Sequence, residues 1–225
     1  LPNNEKMSML IIFDCDGVLI DSERILNDVF RECLKEIGLE LSLDDVIGKF
    51  KGRSTLDCLK IAERMLGKSI SSSSLNECYE EVGTRRMRNE IQAIDGITEA
   101  LEKLPQKKCV ASSSSHEHIK FGLKHTGLYA HFAGAIFSAS DVSRGKPKPD
   151  LFLHAASCML VKPEECIVIE DSSPGVEAAK AAGMMVLGYV DLTPQSELQA
   201  AGAKTFNNMA ELPLLIESWR TGGKI

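Results

Sequence analysis

Residues 11–19 of the chain read IIFDCDGVL, and the rest of the sequence is best interpreted outward from them. Ile11 opens an apolar run that ends in Asp14 and Asp16, and Gly17 follows. Such a run, bounded by a glycine, predicts a buried strand of a parallel sheet. Parallel sheets bind ligands at the carboxyl ends of their strands, where both acids would emerge. Adjacent carboxylates repel unless a cation or a shared proton relieves them, so we expect a magnesium site. A plain turn, with Gly17 supplying a positive φ, is the alternative.

The composition is that of an ordinary globular protein of one domain or one domain with an insert. The chain has 225 residues, of which 44% are hydrophobic and 26% are charged. A net charge of −6 and the lack of a long basic run argue against a nucleic-acid partner. No apolar run approaches the roughly 20 residues that a membrane-spanning helix needs, so we expect no membrane association.

The cysteines and the N-terminal residues bear on the cellular location of the protein. Seven cysteines are scattered without paired spacing, which predicts thiols in a reducing cytosol rather than disulfides or a zinc site. Residues 1–6 are polar and lack the pattern of a signal peptide. We therefore expect a cytoplasmic protein.

Two kinds of segment alternate along the chain. Residues 22 to about 89 carry apolar residues at helical spacing and hold no strong strand candidate. From residue 96 onward strands and helices alternate, with strands predicted at 108–111, 135–137, 166–169, 185–189 and 204–206. This pattern predicts an α/β fold with a doubly wound parallel sheet. We expect a core domain of residues 1–20 and 92–225 and an inserted all-helical cap domain of residues 21–91, which would lie over the active site.

Four polar features each follow a predicted strand. They are the pair Asp14 and Asp16, then Ser112, then Lys146, and finally the pair Glu170 and Asp171. Because a parallel sheet brings the carboxyl ends of its strands to one edge, we expect these side chains to converge. Taken singly, Ser112 fits a helix N-cap, Lys146 a solvated loop lysine, and Glu170 with Asp171 the cap of the next helix. Their joint occurrence at strand ends favours a functional site.

The same features resemble, in order and residue type, the motifs of the haloacid dehalogenase-like hydrolase superfamily. The matching segments are DCDGVLIDS at residues 14–22, GKPKPD at 145–150 and EDSSPG at 170–175. The similarity runs from about Ile11 to Gly183. A helical insert after the first strand resembles subfamily I, which includes phosphoglycolate phosphatase-like and β-phosphoglucomutase-like proteins. The sequence is most similar to bacterial sugar phosphatases, including those acting on 6-phosphogluconate. The resemblance implies a Rossmann-like core with a helical cap.

The resemblance also implies roles for the acids. Asp14 would be the nucleophile and would form an aspartyl-phosphate. Asp16 would act as general acid and then as general base. Mg²⁺ would be bound by the carboxylates of Asp14 and Asp171 and by the backbone carbonyl of Asp16, with Glu170 contributing through water.

Phosphate binding is assigned by the same resemblance. Ser112 and the backbone N–H of Ser113 would hold phosphate oxygens. Lys146 would offset the negative charge of Asp14 and of the transferred group. His116 and His118 lie two residues apart, off a single helical face, so we do not expect them to form a metal pair.

The function expected is a Mg²⁺-dependent phosphatase of small phosphorylated metabolites, mainly sugar phosphates. The cap would exclude water and contact the non-phosphate part of the substrate. The residues proposed for that contact are Glu23, Lys51, Arg53 and Thr55. Lys51 or Arg53 would pair with an anionic substrate group, the alternative being that both are surface charges. We expect a monomer or a weak dimer.

Three other functions remain as alternatives. A phosphomutase of the β-phosphoglucomutase kind usually has a histidine on the helix after the first motif and an arginine in the cap, where this chain has Leu26 and Thr55. A haloacid dehalogenase needs no metal and lacks the second acid, here Asp16. A binding module would use the aspartyl-phosphate site only as a switch.

Overall fold

A computed structural model of the chain describes residues 9–50, 55–132 and 134–221. The strands in this part are β1 (Leu10–Phe13), β2 (Lys107–Ser112), β3 (Ile136–Ser138), β4 (Cys166–Glu170), β5 (Met185–Tyr189) and β6 (Lys204–Phe206). The α-helices are α1 (Ser22–Glu36), α2 (Leu43–Phe50), α3 (Thr55–Leu66), α4 (Ser72–Glu90), α5 (Ile97–Lys103), α6 (His116–His125), α7 (Asp150–Cys158), α8 (Ser173–Ala181), α9 (Gln195–Ala201) and α10 (Leu212–Arg220).

The six strands form one parallel sheet in the order β3-β2-β1-β4-β5-β6. The central strand, β1, pairs Ile12 with Cys109 of β2 on one side and with Val168 of β4 on the other. Along the chain, β2 and β3 are therefore added to the sheet on one side of β1, and β4 is then added on the opposite side. Ligands bind outside the carboxyl ends of strands at such a reversal of strand order. The predicted α/β fold with a doubly wound parallel sheet is confirmed.

The core of the sheet explains why β1 is apolar along its whole length. All four residues of β1 have an exposed fraction of 0%, as expected for a parallel strand covered on both faces. Leu10 and Ile12 pack in one cluster with Phe152 of α7 and Val176 of α8. Burying each such side chain contributes about 1.5–3 kcal/mol. This packing fixes the end of β1, from which the acidic residues emerge.

The described residues fall into two compact units. One comprises the described residues up to Asp21 together with those from Gln92 onward, and it contains the sheet. The other lies within Ser22–Ile91 and contains α1–α4, with no strand among its described residues. In this helical unit α1 packs mainly against α4 and buries Ile25, Val29 and Cys33.

The helical unit contains a disulfide that the sequence analysis did not predict. Cys33 of α1 is bonded to Cys78 of α4, with 5.9 Å between their Cα atoms. The expectation that the cysteines would all be thiols was wrong for this pair. The two residues are 45 positions apart, and only the antiparallel packing of the two helices brings them together. Cys15, Cys58, Cys109, Cys158 and Cys166 lie outside the disulfide.

Within the described residues, none of the helices combines the length and the apolar character required to cross a bilayer.

Candidate functional site

The carboxyl end of β1 presents Asp14 and Asp16. The backbone N–H of Asp14 donates to the carbonyl of Ile169 at 2.9 Å, which extends the pairing of β1 with β4 by one residue. Asp14 is buried, whereas Asp16 is partly exposed. Gly17 has a φ of 76°, and a Cβ at this position would lie 2.5 Å from Oδ2 of Asp171. A glycine is therefore needed here both for the turn and for the close approach of Asp171.

Lys146 lies between two of the buried acids. Its Nζ is 2.9 Å from Oδ1 of Asp14 and 2.7 Å from Oε1 of Glu170. The same atom is 5.0 Å from the centre of the Phe152 ring. The Lys146 side chain is only 4% exposed, so it is not the solvated loop lysine of the alternative interpretation. Its ammonium balances part of the negative charge of Asp14 and Glu170.

The pKa values of this cluster indicate an excess of buried negative charge. Burial raises the pKa of Asp14 to about 7, and the charges of Glu170 and Asp16 act in the same direction against the opposing effect of Lys146. Burial by itself would lower the pKa of Lys146, but Asp14 and Glu170 outweigh it and raise that pKa above its ordinary value. One ammonium group therefore does not neutralise the acids around it.

Asp14, Glu170 and Asp171 form the one group of potential metal ligands found among the described residues. Each offers a carboxylate oxygen, these oxygens lie within 4.8 Å of one another, and all three residues are buried. Hard oxygen donors of this kind suit Mg²⁺. A divalent cation would also stabilise the ionised form of Asp14, which burial opposes. The residues present therefore fit the expected metal.

The segment after β4 holds Glu170 in place. Oε2 of Glu170 accepts hydrogen bonds from the backbone N–H of Ser172 at 2.7 Å and from its Oγ at 2.8 Å. Ser172 is also the N-cap of α8, where its Oγ accepts from the N–H of Gly175. A Cβ at Gly175 would overlap the Glu170 carboxylate. The EDSSPG segment thus orients one acid, starts a helix and leaves room for the acid side chain.

Ser112 ends β2 beside Asp16. Its Oγ is 3.5 Å from Oδ2 of Asp16 and accepts a hydrogen bond from the N–H of Ser114. Ser112 is buried and Ser113 is exposed. The N-cap of α6 is Ser115, so Ser112 does not have the capping role of the alternative interpretation.

Two contacts of Asp16 were not anticipated from the sequence. Oδ2 of Asp16 accepts a hydrogen bond from Oγ of Ser114 at 2.6 Å, and its Oδ1 is 2.8 Å from Nε2 of His118. The hydrogen bond to Asp16 raises the pKa of His118. His116 contacts Asp141 instead, at 2.8 Å. The run of serines after β2 was visible in the sequence, but nothing in it linked His118 to an acid 102 residues away.

The proposed cap residues belong to the segment between Ser22 and Ile91. Glu23 is in the first turn of α1 in the helical unit, and α3 begins at Thr55. Lys51 and Arg53 fall outside the described residues. The predicted contact of these residues with the non-phosphate part of a substrate therefore stays a prediction.

Several known proteins are similar to this chain over most of its length. A 6-phosphogluconate phosphatase of Escherichia coli is 28% identical over 213 residues, which cover 95% of each chain. The structure of a haloacid dehalogenase-like protein of Agrobacterium tumefaciens has a TM-score of 0.86 and 38% identity, and the match covers 93% of this chain and 98% of that one. A putative β-phosphoglucomutase of Thermotoga maritima has a TM-score of 0.78 and 27% identity, covering 93% and 99% of the two chains.

A protein-family model also matches the part of the chain that contains the site. The model for haloacid dehalogenase-like hydrolases matches residues 9–183, a range that contains β1, β2 and β4 and every residue of the buried cluster. The resemblance noted from the sequence motifs is thereby confirmed. This chain belongs to the haloacid dehalogenase-like hydrolase family.

Proposed function

We propose that this chain is a Mg²⁺-dependent phosphatase that hydrolyses small phosphorylated metabolites, mainly sugar phosphates, through an aspartyl-phosphate. The observation that carries the proposal is the buried cluster of Asp14, Lys146, Glu170 and Asp171. Phosphoryl transfer depends mainly on positioning and charge neutralisation, which such a cluster can supply. The similarity to a 6-phosphogluconate phosphatase supports the substrate class.

In the proposed reaction Asp14 and Asp16 have separate tasks. A carboxylate oxygen of Asp14 bonds to phosphorus while the ester P–O bond breaks, and Asp16 gives a proton to the departing oxygen. Water then attacks phosphorus and passes a proton to Asp16, which releases inorganic phosphate and restores Asp14. The contact of Asp14 with the Lys146 ammonium supports this division, because a nearby cation favours the ionised carboxylate that a nucleophile needs.

The metal and the phosphate are assigned to neighbouring groups. Mg²⁺ held by the carboxylates of Asp14 and Asp171 and the carbonyl of Asp16, with Glu170 acting through water, would reduce repulsion between nucleophile and phosphate. Both carboxylate oxygens of Glu170 already have partners, Oε1 in Lys146 and Oε2 in Ser172, which supports the indirect role for Glu170. We assign phosphate oxygens to the Ser112 hydroxyl and to the N–H of exposed Ser113.

Substrate selection is assigned to the helical unit. We propose that Glu23, Lys51, Arg53 and Thr55 contact the non-phosphate part of the metabolite. A cationic Lys51 or Arg53 would suit a carboxylate or a second phosphate on the substrate. Substituting either residue by alanine should raise the KM for the best metabolite while turnover of p-nitrophenyl phosphate stays unchanged.

A panel of phosphorylated metabolites tests the proposed function. Phosphate release is measured for each compound with Mg²⁺ and with EDTA, using the wild-type protein, Asp14→Asn, and Asp45→Asn as a matched substitution on α2. We expect turnover by the wild type and by Asp45→Asn with Mg²⁺ only, and none by Asp14→Asn. Hydrolysis that survives in Asp14→Asn would exclude Asp14 as the nucleophile.

The same protein preparations separate the alternatives. Formation of glucose 6-phosphate from β-glucose 1-phosphate would favour a phosphomutase. This alternative is tested because the structure resembles that of a putative β-phosphoglucomutase. Halide release from a 2-haloacid in EDTA would favour a dehalogenase. Leu26 and Thr55, at the positions where the mutases usually have histidine and arginine, support the phosphatase.

We also propose a cytoplasmic location and a monomeric or weakly dimeric state. Cys158 is exposed and lies outside the disulfide, and an exposed cysteine thiol is typical of a reducing compartment; the bond between Cys33 and Cys78 is typical of an oxidising one. Rapid alkylation of thiols in acid-quenched cells distinguishes the two compartments. Modification of all seven cysteines would indicate the reducing compartment. Sedimentation of the purified protein measures the oligomeric state.

A further inference from the structure

We infer that His118, together with Ser114, positions the carboxyl group of Asp16 for proton transfer to the leaving oxygen. The inference rests on the proposed function, in which Asp16 is the general acid. His118 touches neither phosphorus nor the nucleophile in this assignment, so it is a positioning residue rather than a catalytic one.

The geometry gives each oxygen of Asp16 its own partner. Nε2 of His118 is 2.8 Å from Oδ1, and Oγ of Ser114 donates to Oδ2 at 2.6 Å. Two contacts on opposite oxygens of a planar carboxyl group fix both its rotation and its tilt, which a single contact cannot do. Because Ser112 Oγ is 3.5 Å from Oδ2, the fixed carboxyl group lies next to the serine assigned to the phosphate.

Both partners of Asp16 are themselves held by the fold. The backbone N–H of His118 donates to Oγ of Ser115, the N-cap of α6, and Ile119 is fully buried. The carbonyl of Ser114 accepts a hydrogen bond at 2.7 Å from Oγ of Ser138, which is fully buried at the end of β3. The partners that orient Asp16 are therefore anchored to two elements, His118 to α6 and Ser114 to β3.

The contact between His118 and Asp16 is partly shielded from solvent. The side chains of His118 and Asp16 are 30% and 21% exposed, so solvent screens them less than it screens a surface pair. His116, two residues earlier, pairs with Asp141 on the exposed side of the same helix turn. The two histidines therefore have different partners, and one of them faces the site.

A positioning role predicts an effect that depends on the leaving group. A general acid matters most when the departing oxygen is strongly basic, and it contributes little when the departing anion is already stable. Phenyl phosphate and p-nitrophenyl phosphate have similar shapes, but phenolate needs a proton far more than p-nitrophenolate does. If His118 acts through Asp16, its removal should slow the hydrolysis of phenyl phosphate selectively.

The experiment compares kcat and KM for these two esters in five variants with Mg²⁺. The variants are His118→Leu, His118→Gln, Ser114→Ala, Asp16→Asn and, as the matched control on exposed His125 of the same helix, His125→Leu. We expect His118→Leu to lower kcat for phenyl phosphate about tenfold or more and kcat for p-nitrophenyl phosphate less than about threefold, with KM unchanged. His118→Gln should recover part of the loss, and Ser114→Ala should shift the ratio in the same direction.

The outcomes distinguish this inference from the proposed function. Equal losses on both esters in His118→Leu and Ser114→Ala, or no loss in either variant, would overturn the positioning role while leaving the phosphatase intact. A wild-type protein that releases phosphate from neither ester nor from any metabolite of the panel would overturn both. A double variant, Asp16→Asn with His118→Leu, should be no slower on phenyl phosphate than Asp16→Asn alone, because both changes remove the same proton transfer.

Discussion

At the scale of single residues, the charge of Asp14 is the most consequential feature of the molecule. Its carboxylate is buried near those of Glu170 and Asp171, and the ammonium of Lys146 opposes part of the resulting negative charge. A buried charge of this kind is expensive unless it is paired. A cation bound near these acids would relieve the remaining negative charge, and the stability of the metal-free protein should reveal the imbalance.

We expect the metal-free protein to lose stability as the pH rises. Burial raises the pKa of Asp14 to about 7 in the folded state, whereas an aspartate in the unfolded chain titrates near about 3.9. The folded protein thus binds this proton more tightly, so the free energy of unfolding falls between about pH 4 and about pH 7. Urea unfolding in EDTA at several pH values in this range should show a fall of order 2–4 kcal/mol from this group.

The variant Asp14→Asn isolates that effect. Asparagine cannot ionise, so the difference between the two unfolding curves removes contributions from other groups, including His118. Saturating Mg²⁺ should also abolish the fall in the wild type, because a bound cation favours the ionised carboxylate. An unchanged pH slope in Asp14→Asn would show that Asp14 ionises normally and would contradict the assigned charge imbalance.

Gly175 gives a second prediction at the residue scale. A Cβ at this position would overlap the Glu170 carboxylate, which is fully buried and 2.7 Å from Lys146. Gly175→Ala should displace that carboxylate and lower kcat about tenfold or more, because positioned charges in the site would shift. Circular dichroism should show that the fold survives, since only the end of one side chain must move.

A matched glycine lies elsewhere in a helix. A Cβ added at Gly48 of α2 would meet no atom within 4 Å, so Gly48→Ala should leave kcat unchanged. It should also stabilise the helix by up to about 1 kcal/mol, because alanine loses less backbone freedom on folding. Equal effects of both substitutions on kcat would remove the steric explanation for Gly175.

At the scale of elements, α1 and α4 are joined by more than apolar packing. Besides the bond between Cys33 and Cys78, Arg86 of α4 contacts Asp28 of α1 at 2.7 Å and Glu32 at 2.9 Å. These contacts hold together a pair of helices that the sequence predicted only as separate amphipathic segments. The helical unit therefore depends on cross-links between elements as well as on its core.

Reduction of the disulfide should destabilise the helical unit. The bond closes a loop between residues 45 positions apart, and loop entropy gives about 3–4 kcal/mol for such a closure. Dithiothreitol and the variant Cys78→Ala should each lower the melting temperature, and the reductant should have no further effect on Cys78→Ala. Cys158→Ala, which leaves the bond intact, is the control. A count of seven reactive thiols in the unreduced, denatured protein would contradict the bond.

The elements also show what a sequence can predict here. The strands and the acids at their ends follow from apolar runs and from the geometry of parallel sheets, so Asp14, Asp16 and Asp171 were identifiable before the structure was known. The contact between Asp16 and His118 could not be identified from the sequence, because it depends on the orientation that α6 takes after the end of β2. The disulfide was missed for the same reason, since helix packing rather than sequence spacing joins its two cysteines.

At the scale of the whole molecule, the disulfide and the acidic cluster belong to different units. The disulfide lies within Ser22–Ile91, and the acidic cluster lies in the unit that contains the sheet. The two features share no residue. Perturbations of sites without shared partners are usually additive within about 0.5 kcal/mol.

We therefore expect reductant and Mg²⁺ to act independently and on different segments. Mg²⁺ at about 100 times its dissociation constant should stabilise the folded protein by about 2.7 kcal/mol, with or without dithiothreitol. Hydrogen exchange followed by mass spectrometry should show that Mg²⁺ slows exchange in β1 and β4, while reduction accelerates it in α1 and α4. Faster exchange in β1 and β4 on reduction, matching that in α1 and α4, would mean that the chain opens as a single cooperative unit.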